Sequence, residues 1–122
     1  MTIYPWRIYD AAMRKQKRVP PLTPAVFYIL LALYGKDRHG YDIMGQVHAD
    51  SEGKITMGPG TLYGSIDRMM EAGLVMRSPD GSGDPRRIYY RLTAEGKRML
   101  QAEVDRLSLA TKIAASRHLK TS

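Results

Sequence analysis

Three arginines, Arg77, Arg86 and Arg87, stand at the two ends of a Gly- and Pro-rich stretch, Pro79 to Pro85. Guanidinium groups gathered at the mouth of a hairpin can each donate a pair of hydrogen bonds to a phosphate. Such contacts are largely independent of base sequence and weaken steeply with salt. The bland reading is a solvated strand edge that resists edge-to-edge pairing. Just ahead of this stretch, Thr61 to Ala72 reads as a helix with two unlike faces. At about 100° per residue, Leu62, Ile66, Met69, Met70 and Gly73 fall together. Gly60, Gly64, Asp67, Arg68 and Glu71 lie opposite, with Thr61 and Tyr63 at the borders. A helix that packs on one side and is slim on the other suits the DNA major groove. Arg68 is the one long cation of that outer face, able to reach a guanine edge or a phosphate, and equally able to pair with Glu71. The Tyr63 hydroxyl can donate to a phosphate, or its ring can be a partly buried flank. Gly64 costs about 1 kcal/mol relative to Ala inside a helix. Close approach to DNA would explain it, as would close packing against the preceding helix. Ser65 is grouped with this helix surface, and Lys54 is a weaker member of the same basic set.

Other chemistries find no residues. His39, His48 and His118 are scattered without metal-ligand spacing, and neither an HExxH nor a nucleophile elbow occurs. Gly58-Pro59-Gly60-Thr61 lacks the Gly-Lys-Ser/Thr of a phosphate loop. The chain is therefore expected to be no enzyme, with no catalytic residue, no metal site and no cofactor. Cysteine is absent, which removes disulfides and thiolate chemistry and suits a reducing cytoplasm. A formal net charge of +7 favours a polyanionic partner. The longest apolar run, Ala25 to Tyr34, is about half a bilayer span and reads as a buried helix. Met1-Thr2-Ile3-Tyr4-Pro5-Trp6 lacks a charged stretch followed by an apolar one, so no export signal is read. A cytoplasmic protein without a membrane partner is expected.

Positioning elements follow from periodicity and punctuation. Residues 1–21 are compositionally separate, with a short helix at about 5–17 and Pro20-Pro21 closing the stretch. Thr23-Pro24 caps a helix over 23–34, apolar all round and so covered on most sides. Gly35 stops it, Lys36-Asp37-Arg38 turns, and an amphipathic helix runs over 40–50 with Ile43, Met44 and Val47 inward. Lys54 to Thr56 is expected as a small edge strand. After the helix of Thr61–Ala72, Leu74–Arg77 and Ile88–Leu92 read as two strands joined by a flexible loop. Thr93 caps a long last helix in which Leu100, Val104, Leu107, Thr111, Ala114 and His118 recur at heptad-like spacing. Such a seam, on a lone helix of about seven turns, is expected to pack against a second copy. The fold class is mostly α with a small β-hairpin wing: a winged helix-turn-helix over 22–93, preceded by an extension (1–21) and followed by a dimerisation helix (94–122). Trp6 and Tyr9, with Tyr4 and the small residues Ala110, Ala114 and Ala115, are candidates to border a ligand cavity at the dimer centre. The competing and favoured role for Trp6 is to anchor the N-terminal helix on the partner's long helix.

Three segments resemble the PadR family of bacterial transcriptional regulators. His39-Gly40-Tyr41-Asp42-Ile43 is similar to the family's HGY-acidic-Ile signature, and Gly58-Pro59-Gly60-Thr61-Leu62-Tyr63 to its PGTLY turn and helix start. Arg87-Ile88-Tyr89-Tyr90-Arg91-Leu92-Thr93-Ala94-Glu95-Gly96 is similar to its RKYYxLTxxG wing exit. The likeness runs from about Leu22 to Leu107, and a single C-terminal helix resembles the short-form members. It implies a homodimer, joined through that helix, on a pseudo-palindromic operator of double-stranded DNA. It further implies a repressor relieved by a small aromatic or hydrophobic effector, and places Tyr41, Thr61, Tyr63, Arg86 and Arg87 near DNA. The chain departs from the pattern at Gly64-Ser65, where the family has Pro and a small residue, so the operator is not inferred. Two other functions compete: a winged-helix module that docks a protein, and an RNA-binding domain. The second is disfavoured because few aromatics are interleaved with cations.

Overall fold

The computed structural model describes residues 22–79 and 86–121. They form two units by internal packing, Thr23–Leu100 and Leu22 with the residues from Gln101 onward.

In the larger unit the first helix, α1 (Pro24–Leu33), starts at the expected cap: Thr23 accepts from the Val26 amide at 3.3 Å and Pro24 occupies the first turn. Ile29, Leu30, Ala32 and Leu33 are buried, and Gly35 turns the chain at φ +79°. A short strand, β1 (Arg38–His39), leads into α2 (Gly40–Asp50), whose Ile43 and Val47 are fully buried. α3 (Pro59–Glu71) buries Leu62, Ile66 and Met69 and ends before Gly73, at φ +78°. β2 (Val75–Arg77) and β3 (Tyr89–Leu92) pair antiparallel, with Val75 opposite Leu92 and Arg77 opposite Tyr90. The sheet order is β1-β3-β2. Three helices on a small antiparallel sheet, closed by α4 (Ala94–Ser116), make a winged helix.

The third strand is not where the sequence suggested. Residues 54–56 form no strand, because local partners satisfy them: the Ser51 hydroxyl accepts from the Ile55 amide at 3.0 Å, and the Thr56 hydroxyl lies 3.1 Å from His48 Nδ1. The edge is instead Arg38–His39, read from sequence as a turn running into a helix start, with Arg38 opposite Tyr90 and His39 opposite Tyr89. Arg38 fixes it by donating from Nε to the Ala32 carbonyl at 2.6 Å and pairing with Asp42 at 2.8 Å. Most of the expected loop, residues 80–85, lies outside the described residues, as does the expected helix at 5–17.

α4 begins with Thr93, whose hydroxyl accepts from the Gly96 amide at 3.0 Å. A Cβ on Gly96 would strike the Leu74 carbonyl, so this glycine lets the helix lie directly on the strand entrance. Leu100, the first position of the expected seam, is 4% exposed and belongs to the core of the winged-helix unit. His118, the last, lies beyond the helix: the chain closes with His118 at φ +67°, its amide donating to the Ala115 carbonyl and that of Leu119 to Ala114, a left-handed helix-end motif. Between them Val104 and Leu107 stay exposed, Leu107 by 40%. Thr111 is exposed and Ala114 half-buried. In this second unit Glu103 accepts from the Leu22 amide and from Arg106, which holds its carboxyl below the usual range.

Candidate nucleic-acid interface

The first turn of α3 has no side-chain cap: Gly58 stands at that position and Pro59 follows it. Its leading amides are therefore free to face a ligand. Gly60, Thr61, Tyr63, Asp67, Arg68 and Glu71 are exposed and Gly64 is half-buried, as the helical period requires. Ser65 does not share that surface. It is 6% exposed and its hydroxyl accepts from Arg68 at 3.3 Å, so it steadies the arginine from within. A Cβ at Gly64 would meet only Arg68 Nη1, at an ordinary 3.7 Å. Packing on α2 thus does not demand glycine there.

The demanding glycine is Gly40, at the start of α2. A Cβ there would fall 2.6 Å from Cζ of Tyr63. The Tyr63 ring lies on the bare backbone of Gly40, and this close approach seats α3 against α2. Around the contact opens a depression of about 630 Å³ lined by His39, Gly40, Tyr41, Tyr63, Arg86, Arg87, Ile88 and Tyr90. It brings together four of the expected DNA-binding residues, Tyr41, Tyr63, Arg86 and Arg87. Tyr41 is 72% exposed at its rim. Arg77 is exposed at the outer end of β2, opposite Tyr90 in register. Lys54 is exposed in the α2–α3 connection and does not line the depression. Trp6 and Tyr9 lie outside the described residues.

The wing is held by an ion pair that joins distant segments. Asp37, just before β1, receives Arg91 Nη2 of β3 at 2.8 Å and the Ser78 hydroxyl beyond β2. The Arg91 hydrogen bonds, then that of Ser78, hold the Asp37 carboxyl below its ordinary value despite partial burial. Tyr90 is shifted the other way. Burial first, then the neighbouring Tyr63, raise its phenol above the usual value. His39 and Gly40 were not singled out as site residues from sequence. His39 caps α2, its Nδ1 accepting from the Asp42 amide at 3.4 Å, and its Nε2 lies 3.0 Å from Arg87 Nη1. Cationic donors, phenols and an uncapped helix start on one open surface can bind a phosphate backbone. Among the described residues no group of three acidic or histidine side chains is placed to hold a metal ion. No helix among them is long and apolar enough to cross a membrane.

Residues 29–102 match the PadR-like family of transcriptional regulators. A PadR family transcription regulator from Clostridium difficile superposes with a TM-score of 0.64 at 23% identity, over 80% of this chain and 100% of its own. A PadR-like regulator from Bacillus cereus gives 0.65 at 15% identity, over 94% and 99%. A complex of RosR from H. salinarum, RosR-S4, gives 0.56 at 30% identity, over 75% and 72%. Comparison with curated proteins finds no similar sequence.

Proposed function

The chain belongs to the PadR-like family of transcriptional regulators, a DNA-binding winged-helix family, and on that premise we propose that it is a homodimeric repressor acting on a pseudo-palindromic operator. The observation that carries the reading is the convergence of Tyr41, Tyr63, Arg86 and Arg87 on one open depression beside the uncapped start of α3. In this reading the first two turns of α3 enter the major groove, where Thr61 and Gly64 allow close approach. Asp67 and Glu71 mark the depth at which penetration stops, and Arg68 reaches a base edge or a phosphate. Arg77, Arg86 and Arg87 grip the flanking backbone, and Lys54 adds a weaker contact.

Dimerisation through α4 is supported by Val104 and Leu107, apolar and exposed at one helical spacing, with Thr111 and Ala114 continuing the stripe. Relief by a small aromatic or hydrophobic effector is the regulation that family membership favours. A second reading, a module that docks a protein, draws on the exposed Tyr41, Met76 and Ile88. Salt separates the two, since phosphate contacts collapse as salt rises and an apolar interface persists. The test is the double variant Arg86→Ala, Arg87→Ala. It should bind every duplex at least tenfold more weakly and lose about four from the slope of log affinity against log salt, about two for each protomer of the dimer. Unchanged affinity and slope would remove the wing from the interface.

A further inference from the structure

His39 faces two donors with a ring that can satisfy only one. Nδ1 lies 3.4 Å from the Asp42 N–H, and Nε2 lies 3.0 Å from Arg87 Nη1. The guanidinium has no lone pair to offer, and a neutral imidazole has a single acceptor nitrogen. With the proton on Nδ1, the cap of α2 is lost and an N–H points at an N–H. With the proton on Nε2 the cap survives, but the ring N–H and the guanidinium N–H oppose one another. An anionic oxygen seated against both resolves the conflict. It accepts from Nε2–H and from Arg87 together, and leaves Nδ1 to the cap.

The surroundings allow this. Both side chains line the open depression, beside Tyr41, Tyr63 and Arg86. The Tyr89 ring stands edge-on to the imidazole at 5.3 Å, on the far strand of the β1–β3 pair, and helps to hold its orientation. The positive end of α2 adds to the attraction for an anion.

We propose that His39 is a direct ligand of the DNA backbone: as the Nε2–H tautomer it shares one phosphate group with Arg87. This rests on the reading of the depression as part of the duplex-binding face, and adds to it a residue and the phosphate it takes.

Asparagine separates the two roles of His39, because its side-chain oxygen caps a helix well and its amide is too short to reach the phosphate. The experiment uses the full-length protein and a duplex recovered from a random pool by the wild type. His39→Asn should melt with the wild type and bind that duplex on the order of tenfold more weakly, with the salt slope unchanged, because a neutral imidazole releases no counterion and Arg87 still neutralises the shared phosphate. Added to Arg87→Ala, it should weaken binding by no more than about twofold beyond Arg87→Ala alone, since one phosphate serves both side chains. If His39→Asn binds with wild-type affinity while Arg87→Ala is impaired, His39 is a cap only and the proposal falls; a salt slope lowered by His39→Asn would mean a charged imidazole and overturn the neutral tautomer. Fully additive losses would put the two side chains on separate phosphates and overturn the shared seat. A wild type that retains no duplex from the pool overturns the underlying reading as well.

Discussion

Replacing Gly40 by alanine should separate binding from stability. The new Cβ would run into the Tyr63 hydroxyl oxygen, its nearest neighbour, and stand 2.6 Å from Cζ and 3.0 Å from Cε1, whereas unstrained carbon contacts begin near 3.5 Å. The ring must therefore retreat by about 1 Å. It can do so toward solvent, because Tyr63 is 39% exposed. The cost thus sits at the low end of overpacking, about 1 kcal/mol. Alanine recovers part of that, since glycine in a helix is worse than alanine by up to about 1 kcal/mol. Stability should hence move little. The Tyr63 hydroxyl, however, is carried outward by about the same 1 Å, enough to spoil a hydrogen bond to a phosphate. A hydrogen bond to a charged group is worth about 1.5–3 kcal/mol, so duplex affinity should fall by about tenfold or more. Thermal unfolding and a fluorescence-anisotropy titration of Gly40→Ala measure the two quantities. Tyr63→Phe is the comparator: it deletes the hydroxyl in place, and Gly40→Ala added to it should cost little further affinity. Wild-type binding by Gly40→Ala would refute the argument, since the seat of Tyr63 would then not matter to DNA.

Gly96→Ala should act on stability. Its Cβ meets the Leu74 carbonyl and comes within 3.3 Å of Leu92 Cδ2, and backbone cannot swing away, so a loss of about 2–3 kcal/mol and a melting point lower by about 10 °C are expected; unchanged melting would show that α4 shifts freely. The Asp37–Arg91–Ser78 cluster sets an acid dependence. The folded-state value of Asp37 is depressed, so its contribution is present above the ordinary aspartate range and is lost as pH falls through the folded value. Denaturant titrations should then show wild type more stable than Asp37→Asn at pH 7, with the gap closing in strong acid; a gap independent of pH would refute it. Leu107→Glu places a charge on the exposed stripe of α4 and should give monomers by light scattering, with loss of operator binding. Persisting dimers would move the interface elsewhere.

The three principal helices of the winged unit were legible because their signals are local. Thr23-Pro24 opens α1, Gly35 and Gly73 close their helices, and the period of Leu62, Ile66 and Met69 fixes which face of α3 is buried, although α3 begins at Pro59, two residues before the expected Thr61. What was missed is joined across the chain. A two-residue strand has no alternation to read, and β1 is specified by Arg38 reaching Ala32 and Asp42, and by its register against Tyr89 and Tyr90. Ile55 and Thr56 have the β-branched look of a strand, yet Ser51 and His48, four and eight residues back, satisfy that segment locally. Spacing alone cannot tell a buried leucine such as Leu100 from an exposed one such as Leu107, nor show that the last helix ends before His118. The site shows the same division. Each motif could be recognised by itself, but not that the glycine of one is the floor for the tyrosine of the other. His39 is legible in the sequence as a helix start, as part of the HGY signature and as a histidine without metal-ligand spacing, but the two contacts of its ring, to the Asp42 amide and to Arg87, are not. A residue that caps a helix with one nitrogen and meets a wing arginine with the other joins the helix-turn-helix to the wing. Its effect on DNA binding therefore has to be measured with the cap kept intact, which His39→Ala cannot do and His39→Asn can.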